Sequence, residues 1–148
     1  MPAHFFDTCA IVYRYFQAPE TEAVDGVLAG PGPHFVSLLG VVEFHSVFAK
    51  LVRSGKIGST DFDLTVQAFD SDVAAGLIRV VTAKKARHSD ATRLIRMVGM
   101  TAELSSQDAL QLAVALQLRA TFPALKLVTC DHALTAAAAA VQLPTVYP

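Results

Sequence analysis

The sequence predicts an α/β protein: a parallel sheet with helices on both faces. Three observations carry this. Short apolar runs alternate with longer amphipathic stretches, and the long connections between them are what parallel strands require. Two of the runs, His4-Phe5-Phe6-Asp7 and Leu125-Lys126-Leu127-Val128-Thr129-Cys130-Asp131, end in an aspartate at which helical sequence begins. In an open α/β sheet ligands sit outside the carboxyl ends of the strands, so both aspartates fall where a metal-binding or catalytic acid belongs. Finally, 148 residues of which 53% are hydrophobic make one domain, residues 1–148, able to bury a core of its own.

His4 to Phe6 read as a buried strand, and Thr8 to Gln17 as a helix stopping before Pro19. Glu20 to Leu28 form a second short helix. Gly30-Pro31-Gly32-Pro33 is a turn, because these residues break both helix and strand. After a strand at His34 to Val36, Ser37 caps a helix from Leu38 to Arg53 that ends at Ser54-Gly55. Ser59 or Thr60 caps the next helix, reaching Ala75 before Gly76. Ile78 to Val81 are a β-branched strand, and Lys84 to Val98 a helix ended by Gly99. Ser105 opens a helix to Ala120, with Pro123 beyond it. Leu125 to Thr129, a helix at Ala133 to Val141 and a strand at Thr145 to Tyr147 complete the order. No internal repeat, linker or second domain interrupts it.

Composition narrows the function classes. No apolar run reaches the roughly 18–20 residues of a membrane span. The N-terminal stretch has no basic region followed by an apolar run, so a cytoplasmic location is expected. Two cysteines, Cys9 and Cys130, make no disulfide framework; each adjoins a candidate site acid, and a small buried side chain is the favoured role for both. The net charge of −1 does not by itself advertise nucleic-acid binding, but a local basic rim is compatible with it. Arg14, Lys50, Arg53 and Lys56 are candidates for such a rim, and Lys84, Lys85 and Arg87 form a second cluster; a solvated face is the plainer account of both. Asp61, Asp63, Asp70, Asp72 and Asp90 read as surface acids serving solubility. The apolar content suggests a face buried in a partner, with Val12, Tyr13, Tyr15 and Phe16 as a patch on the first helix.

Four carboxylates are candidates for one cleft: Asp7, Glu43, Asp108 and Asp131. Each has a plain alternative. Asp7 and Asp131 are well placed as helix N-caps. Ser105-x-x-Asp108 matches a capping box, and an acid in a first turn suits the helix dipole. Glu43 is the only charged residue between Pro33 and Lys50, and it lies on a polar stripe with Gly40, Ser46, Lys50 and Ser54. If they converge, acids so close repel unless a cation neutralises them. Hard oxygen ligands without a His or Cys cluster suit Mg²⁺ or Mn²⁺. Thr8, Ser37, Ser106 and Thr129 are candidates to orient the acids or waters, with local backbone hydrogen bonds as the simpler role.

The motifs together resemble a family. Asp7-Thr8-Cys9-Ala10-Ile11-Val12 resembles the D-T/S-S-A-L/I-V opening of PIN domains, and Glu43 sits in a helix as their second acid does. Ser105-Ser106-Gln107-Asp108-Ala109-Leu110-Gln111-Leu112-Ala113 is similar to their D-A-L-H-L-A helix, and Thr129-Cys130-Asp131 with Leu134 to their T-x-D-x-x-L signature. Nearly the whole chain is covered, in order. Cys9 departs from the usual serine. The resemblance implies a three-layer α/β/α fold with a parallel sheet of four or five strands. It implies a Mg²⁺- or Mn²⁺-dependent ribonuclease like the single-domain VapC-type toxins, acting on RNA, forming a homodimer and neutralised by a small antitoxin. A silent PIN scaffold that only binds a protein partner is the alternative. A phosphatase with Asp7 as nucleophile fits less well, because the second acid it needs two residues on is Cys9 here.

Overall fold

The computed structural model describes residues 2–148. Five strands form one sheet in the order β3-β2-β1-β4-β5. They are β1 (Ala3–Phe6), β2 (His34–Ser37), β3 (Arg79–Val81), β4 (Leu125–Val128) and β5 (Thr145–Val146). Every neighbouring pair is parallel, with Phe6 opposite Val128 and Ser37 opposite Val81 at the leading ends. The helices are α1 (Thr8–Tyr15), α2 (Thr21–Ala29), α3 (Leu38–Arg53), α4 (Ser59–Ala74), α5 (Lys85–Val98), α6 (Ser106–Thr121) and α7 (His132–Ala140).

Strand alternation sends successive side chains to opposite layers. Phe6, Val36 and Val128 join Ile11, Val24, Phe44, Phe48 and Phe69 of α1 to α4. Phe5, Phe35, Leu125 and Leu127 join Leu94, Leu112, Leu134 and other residues of α5 to α7. The result is the expected three layers. β1 has β2 on one side and β4 on the other, so the chain's winding reverses beside β1. The carboxyl ends of the strands at such a reversal are where this kind of sheet binds ligands.

Most element boundaries fall within two residues of expectation. Two differences have local causes. Gly58, not Ser59 or Thr60, is the N-cap of α4, because the Asp61 carboxylate reaches back to the Gly58 N–H at 2.8 Å and completes the first turn. Asp61 is thus a cap as well as a surface acid. The expected patch on α1 is not exposed. Val12 is buried, and Tyr13, Tyr15 and Phe16 pack into the α1–α4 layer. Tyr15 lies edge-on to Phe44 and Phe69 and donates its hydroxyl to Asp72 at 2.6 Å. The large exposed apolar side chains include Leu38 and Val42 on α3 and Met97 and Met100 near the end of α5. No helix among the described residues is long and apolar enough to cross a membrane.

Toward the other edge of the sheet from the acids, His4 and His34 pair in register and stack, ring centroids 5.4 Å apart. Both Nδ1 atoms are buried without a hydrogen-bond partner. Burial lowers both pKa values; His34 and Lys126 add to the effect on His4, and Arg79 to that on His34. A base held below its ordinary 6.5 takes its proton more readily in the unfolded chain. Its contribution to stability is therefore full above that value and falls as pH drops through it. In urea denaturation at about pH 7.5 and about pH 5.5, spanning the histidine range, the His4→Phe, His34→Phe double variant should lose less stability, or gain more, toward the acid value than the wild type does; an identical pH response in the two proteins would show that these rings contribute none of it.

Candidate active site

Asp7 follows β1 directly. Its backbone is extended (φ −70°, ψ 154°) and its N–H continues the ladder to the Val128 carbonyl at 2.9 Å. Both carboxylate oxygens are engaged. Oδ1 accepts from the Thr8 N–H at 2.8 Å, while Oδ2 accepts the Thr129 hydroxyl at 3.1 Å and the Cys9 thiol at 2.9 Å. Asp7 is therefore a helix cap and also a buried acid aimed by side chains from two elements. Burial raises its pKa most and the charge of Asp131 adds to that, while the thiol, the hydroxyl and the N–H hold it back.

The strand end after β4 supplies the second acid. The Asp131 N–H donates to Thr129 Oγ1 at 3.1 Å, so one hydroxyl ties the two aspartates together. Asp131 caps α7 through Oδ1, which accepts from the Ala133 and Leu134 N–H groups. Its Oδ2 takes no part in those bonds. Cys130 donates its N–H to Cys9 Sγ at 3.2 Å. The Cys9 thiol is held far above its ordinary pKa, chiefly by burial and then by the Asp7 charge. It is a neutral donor to Asp7, doing with sulfur what a serine hydroxyl would do.

Glu43 lies on the second turn of α3, at the upper end of its polar stripe. Gly40 is buried and Glu43 half-buried, whereas Ser46, Lys50 and Ser54 are exposed. Glu43 Oε1 is sealed from solvent and accepts no hydrogen bond. Burial raises its pKa first, and the charges of Asp7 and Asp108 push the same way. The nearby Thr8 hydroxyl tempers the rise, although its proton is directed at the Gly40 carbonyl at 3.5 Å.

Asp108 is in the first turn of α6, where its N–H donates to Ser105 Oγ at 3.1 Å. Only this forward half of the capping box forms. Its carboxylate is raised by burial, then by the charges of Asp7, Asp131 and Glu103, with Ser105 acting against them. Asp7 thus feels or exerts the charge of each of the other three acids, and Asp108 is coupled to both Glu43 and Asp131. Among the described residues, no three His, Cys, Asp or Glu side chains stand close enough to enclose an ion as placed. The orphaned Glu43 oxygen and the three carboxylates with raised pKa are what a hydrated cation would relieve.

The supporting residues divide. Thr8, Ser37 and Thr129 are buried and bonded within the site. Ser106 is exposed and bonds to none of the acids; its neighbour Ser105 is the cap. Gln111 was not among the candidates, yet it is buried at 1% exposure and bonds to both Ser37 and Thr8. The signal was present: a polar side chain among Ala109, Leu112 and Ala113 on an inward helix face.

The basic residues divide as well. Lys50 and Arg53 are exposed and line a cleft of about 390 Å³ with Glu43, Val42 and Ser46. Arg14 does not belong to that rim. Its Nε and Nη2 bond Asp72 at 2.7 and 3.1 Å, and its Nη1 bonds Asp25 at 2.9 Å. It joins α1 to α4 and α2, and Asp72 is a structural partner rather than a solvated acid. Arg87 likewise pairs with Asp90 at 2.7 Å. Asp72→Ala would leave the Arg14 guanidinium with Asp25 alone and the Tyr15 hydroxyl without its acceptor, at a cost of about 1–3 kcal/mol. Urea denaturation checks this, and a change under about 0.5 kcal/mol, the size usual for surface positions, would make the network ornamental.

No curated protein matches the chain. Solved structures do. FitAcB from Neisseria gonorrhoeae is 18% identical, with a TM-score of 0.69 over 98% of this chain and 97% of that one. Mycobacterium tuberculosis VapC20, a sarcin-ricin loop cleaving toxin, is 15% identical, with a TM-score of 0.66 over 90% and 94%. A toxin–antitoxin complex from Klebsiella pneumoniae is 18% identical, with a TM-score of 0.66 over 98% and 97%. At these identities the likeness speaks for the fold. The sequence speaks for the family: a model described as the PIN domain matches residues 4–140, from β1 to the end of α7. With everything but the closing strand inside that match, the chain belongs to the PIN domain family.

Proposed function

We propose that the chain is a Mg²⁺- or Mn²⁺-dependent endoribonuclease in which Asp7, Glu43, Asp108 and Asp131 hold the metal. The observation that carries this reading is the Glu43 oxygen, sealed from water, unbonded, and pressed by the charges of Asp7 and Asp108. A stripe residue serving only solubility would point its carboxylate at water. Buried acids of one sign are costly unless a cation meets them. When bound, the metal supplies activation of a water and stabilisation of the charge developing on a phosphodiester.

The chain's own residues do the rest. Cys9, Thr129 and the Thr8 N–H fix both oxygens of Asp7, so its orientation is set before any ligand arrives. Asp131 is pinned through Oδ1, leaving Oδ2 for a ligand. Lys50 and Arg53, on the same cleft as Glu43, attract phosphate along α3. Single-stranded or looped RNA is the substrate class, because unstacked backbone reaches a small acidic cleft more readily than a duplex.

The partners follow the same reading. The likeness to toxin–antitoxin complexes supports a toxin with a protein antitoxin. Exposed Leu38, Val42, Met97 and Met100 support a homodimer. Sedimentation of the chain alone should show a dimer that Val42→Asp weakens.

Asp108→Asn tests the site with RNA, Mg²⁺ or Mn²⁺, and a melting curve as a check on folding. A ligand at this position should leave the fold intact and remove most cleavage. Wild-type cleavage by the folded variant would reduce Asp108 to a first-turn acid. An inactive wild type that still captures a protein partner would favour a silent scaffold.

A further inference from the structure

Close to the acids runs a chain of hydrogen bonds that begins and ends at one residue, Gly40. The Gly40 N–H donates to Ser37 Oγ at 2.9 Å, and the Ser37 hydroxyl donates to Gln111 Oε1 at 2.6 Å. The Gln111 amide, through Nε2, donates to Thr8 Oγ1 at 3.4 Å, and the Thr8 hydroxyl returns to the Gly40 carbonyl at 3.5 Å. Each hydroxyl both accepts and donates, so the bonds have one sense throughout and polarise one another. Ser37, Gln111 and Thr8 are all buried.

These bonds touch every element that carries a candidate ligand except the β4 end. Thr8 follows Asp7. Gly40 precedes Glu43 by one helical turn, and Gln111 follows Asp108 by one turn, so each shares a helix face with its acid. A second observation is independent of the bonds. A Cβ on Gly40 would meet Gln111 Nε2 at 3.2 Å, Ser37 Oγ at 3.3 Å and Thr8 Oγ1 at 3.4 Å. Three side chains from three elements converge on one bare Cα, and α3 comes this close to α1 and α6 because position 40 has no side chain.

We infer that Gln111 is a positioning residue whose amide, bridging Ser37 and Thr8, sets the interval between Asp7, Glu43 and Asp108. It never touches substrate or metal. By donating to Thr8 it also leaves the Thr8 proton free for the Gly40 carbonyl. This rests on the metal-site reading above. The test is therefore built so that the two can fail separately.

Gln111→Met keeps the side chain's length and removes both bonds. Gly40→Ala keeps the bonding groups and crowds the convergence. Mn²⁺ affinity is measured by calorimetric titration of the full chain, beside hydrogen exchange on the metal-free protein. Both variants should stay folded and bind Mn²⁺ some ~10–100-fold more weakly, the loss that outer partners of a metal site bring. In the metal-free Gln111→Met protein the Gly40 N–H should exchange at least ~10-fold faster while the Val128 N–H in β4 does not, because local opening leaves the sheet closed. Mn²⁺ affinity within about twofold of wild type, well inside that range, would overturn the inference, and so would exchange accelerated equally everywhere. A wild type that binds no Mn²⁺ would defeat the metal-site reading instead, and the exchange comparison alone would then decide the role of Gln111.

Discussion

Glu43→Gln is expected to leave a folded chain, slightly more stable than wild type in metal-free buffer, with RNA cleavage reduced at least ~100-fold, the upper end of the loss seen when a metal site is disturbed even indirectly. The physical basis is the position of one oxygen. Glu43 Oε1 is closed to water and accepts no bond, and burial together with Asp7 and Asp108 raises its pKa. In the absence of a cation, the ionised form is a net cost, so removing the charge relieves the fold. In its presence, the same charge is what the ion binds. Stability and activity should therefore move in opposite directions, which a merely structural residue would not do.

The measurement pairs a melting curve in EDTA with cleavage of a single-stranded RNA in Mg²⁺ and in Mn²⁺. A Glu43→Gln protein that melts lower and cleaves normally would return Glu43 to the polar stripe of α3. Lys50→Gln supplies the contrast. It lies on the same cleft but is exposed, so it should weaken RNA binding in a salt-dependent way and leave metal affinity unchanged.

How much of this site was legible in the sequence differs by residue, for physical reasons. Asp7 and Asp131 were legible because strand ends and helix starts leave local signatures, and the crevice rule links strand ends to ligands. The capping alternative holds, and it leaves the ligand reading open. Asp7 and Asp131 do cap α1 and α7, and a carboxylate with two oxygens can do both. Glu43 was legible as the only charge in an apolar run, but its buried face depended on how α3 docks against α1. Arg14 was misplaced because an arginine near a candidate acid looks the same whether it faces solvent or Asp72, which is fifty-eight residues away in the chain. Gln111 was overlooked for the same reason: its partners Ser37 and Thr8 are distant in sequence and near only in the fold. The α1 patch failed because apolar spacing marks a buried stripe without saying which layer covers it. Its neighbours in the same layer, α3 and α4, cover it.

Divalent ions are expected to raise the melting temperature of the wild type by roughly 5–10 °C at about a hundredfold excess over Kd, from mass action and the size of the domain. The sign of its pH dependence follows from the acids. Asp7, Glu43 and Asp108 all have folded pKa values raised above their ordinary 3.8 to 4.5. A carboxylate whose pKa is raised by folding binds its proton more tightly in the native state. Its contribution therefore favours the fold at low pH and is lost as pH rises through the raised value. At neutral pH the metal-free chain carries the full cost of these charges, and the ion has most to relieve. The Mn²⁺ shift should accordingly be largest near neutrality and shrink as pH falls and protons compete for the same oxygens. Asp7→Asn should abolish the shift. Its effect on metal-free stability should be small, because relief of charge is offset by a weaker acceptor for the Thr129 hydroxyl and the Cys9 thiol. A melting temperature indifferent to saturating Mn²⁺ at neutral pH, or a shift that grows toward acid, would show that the acids around Asp7 do not form a metal site.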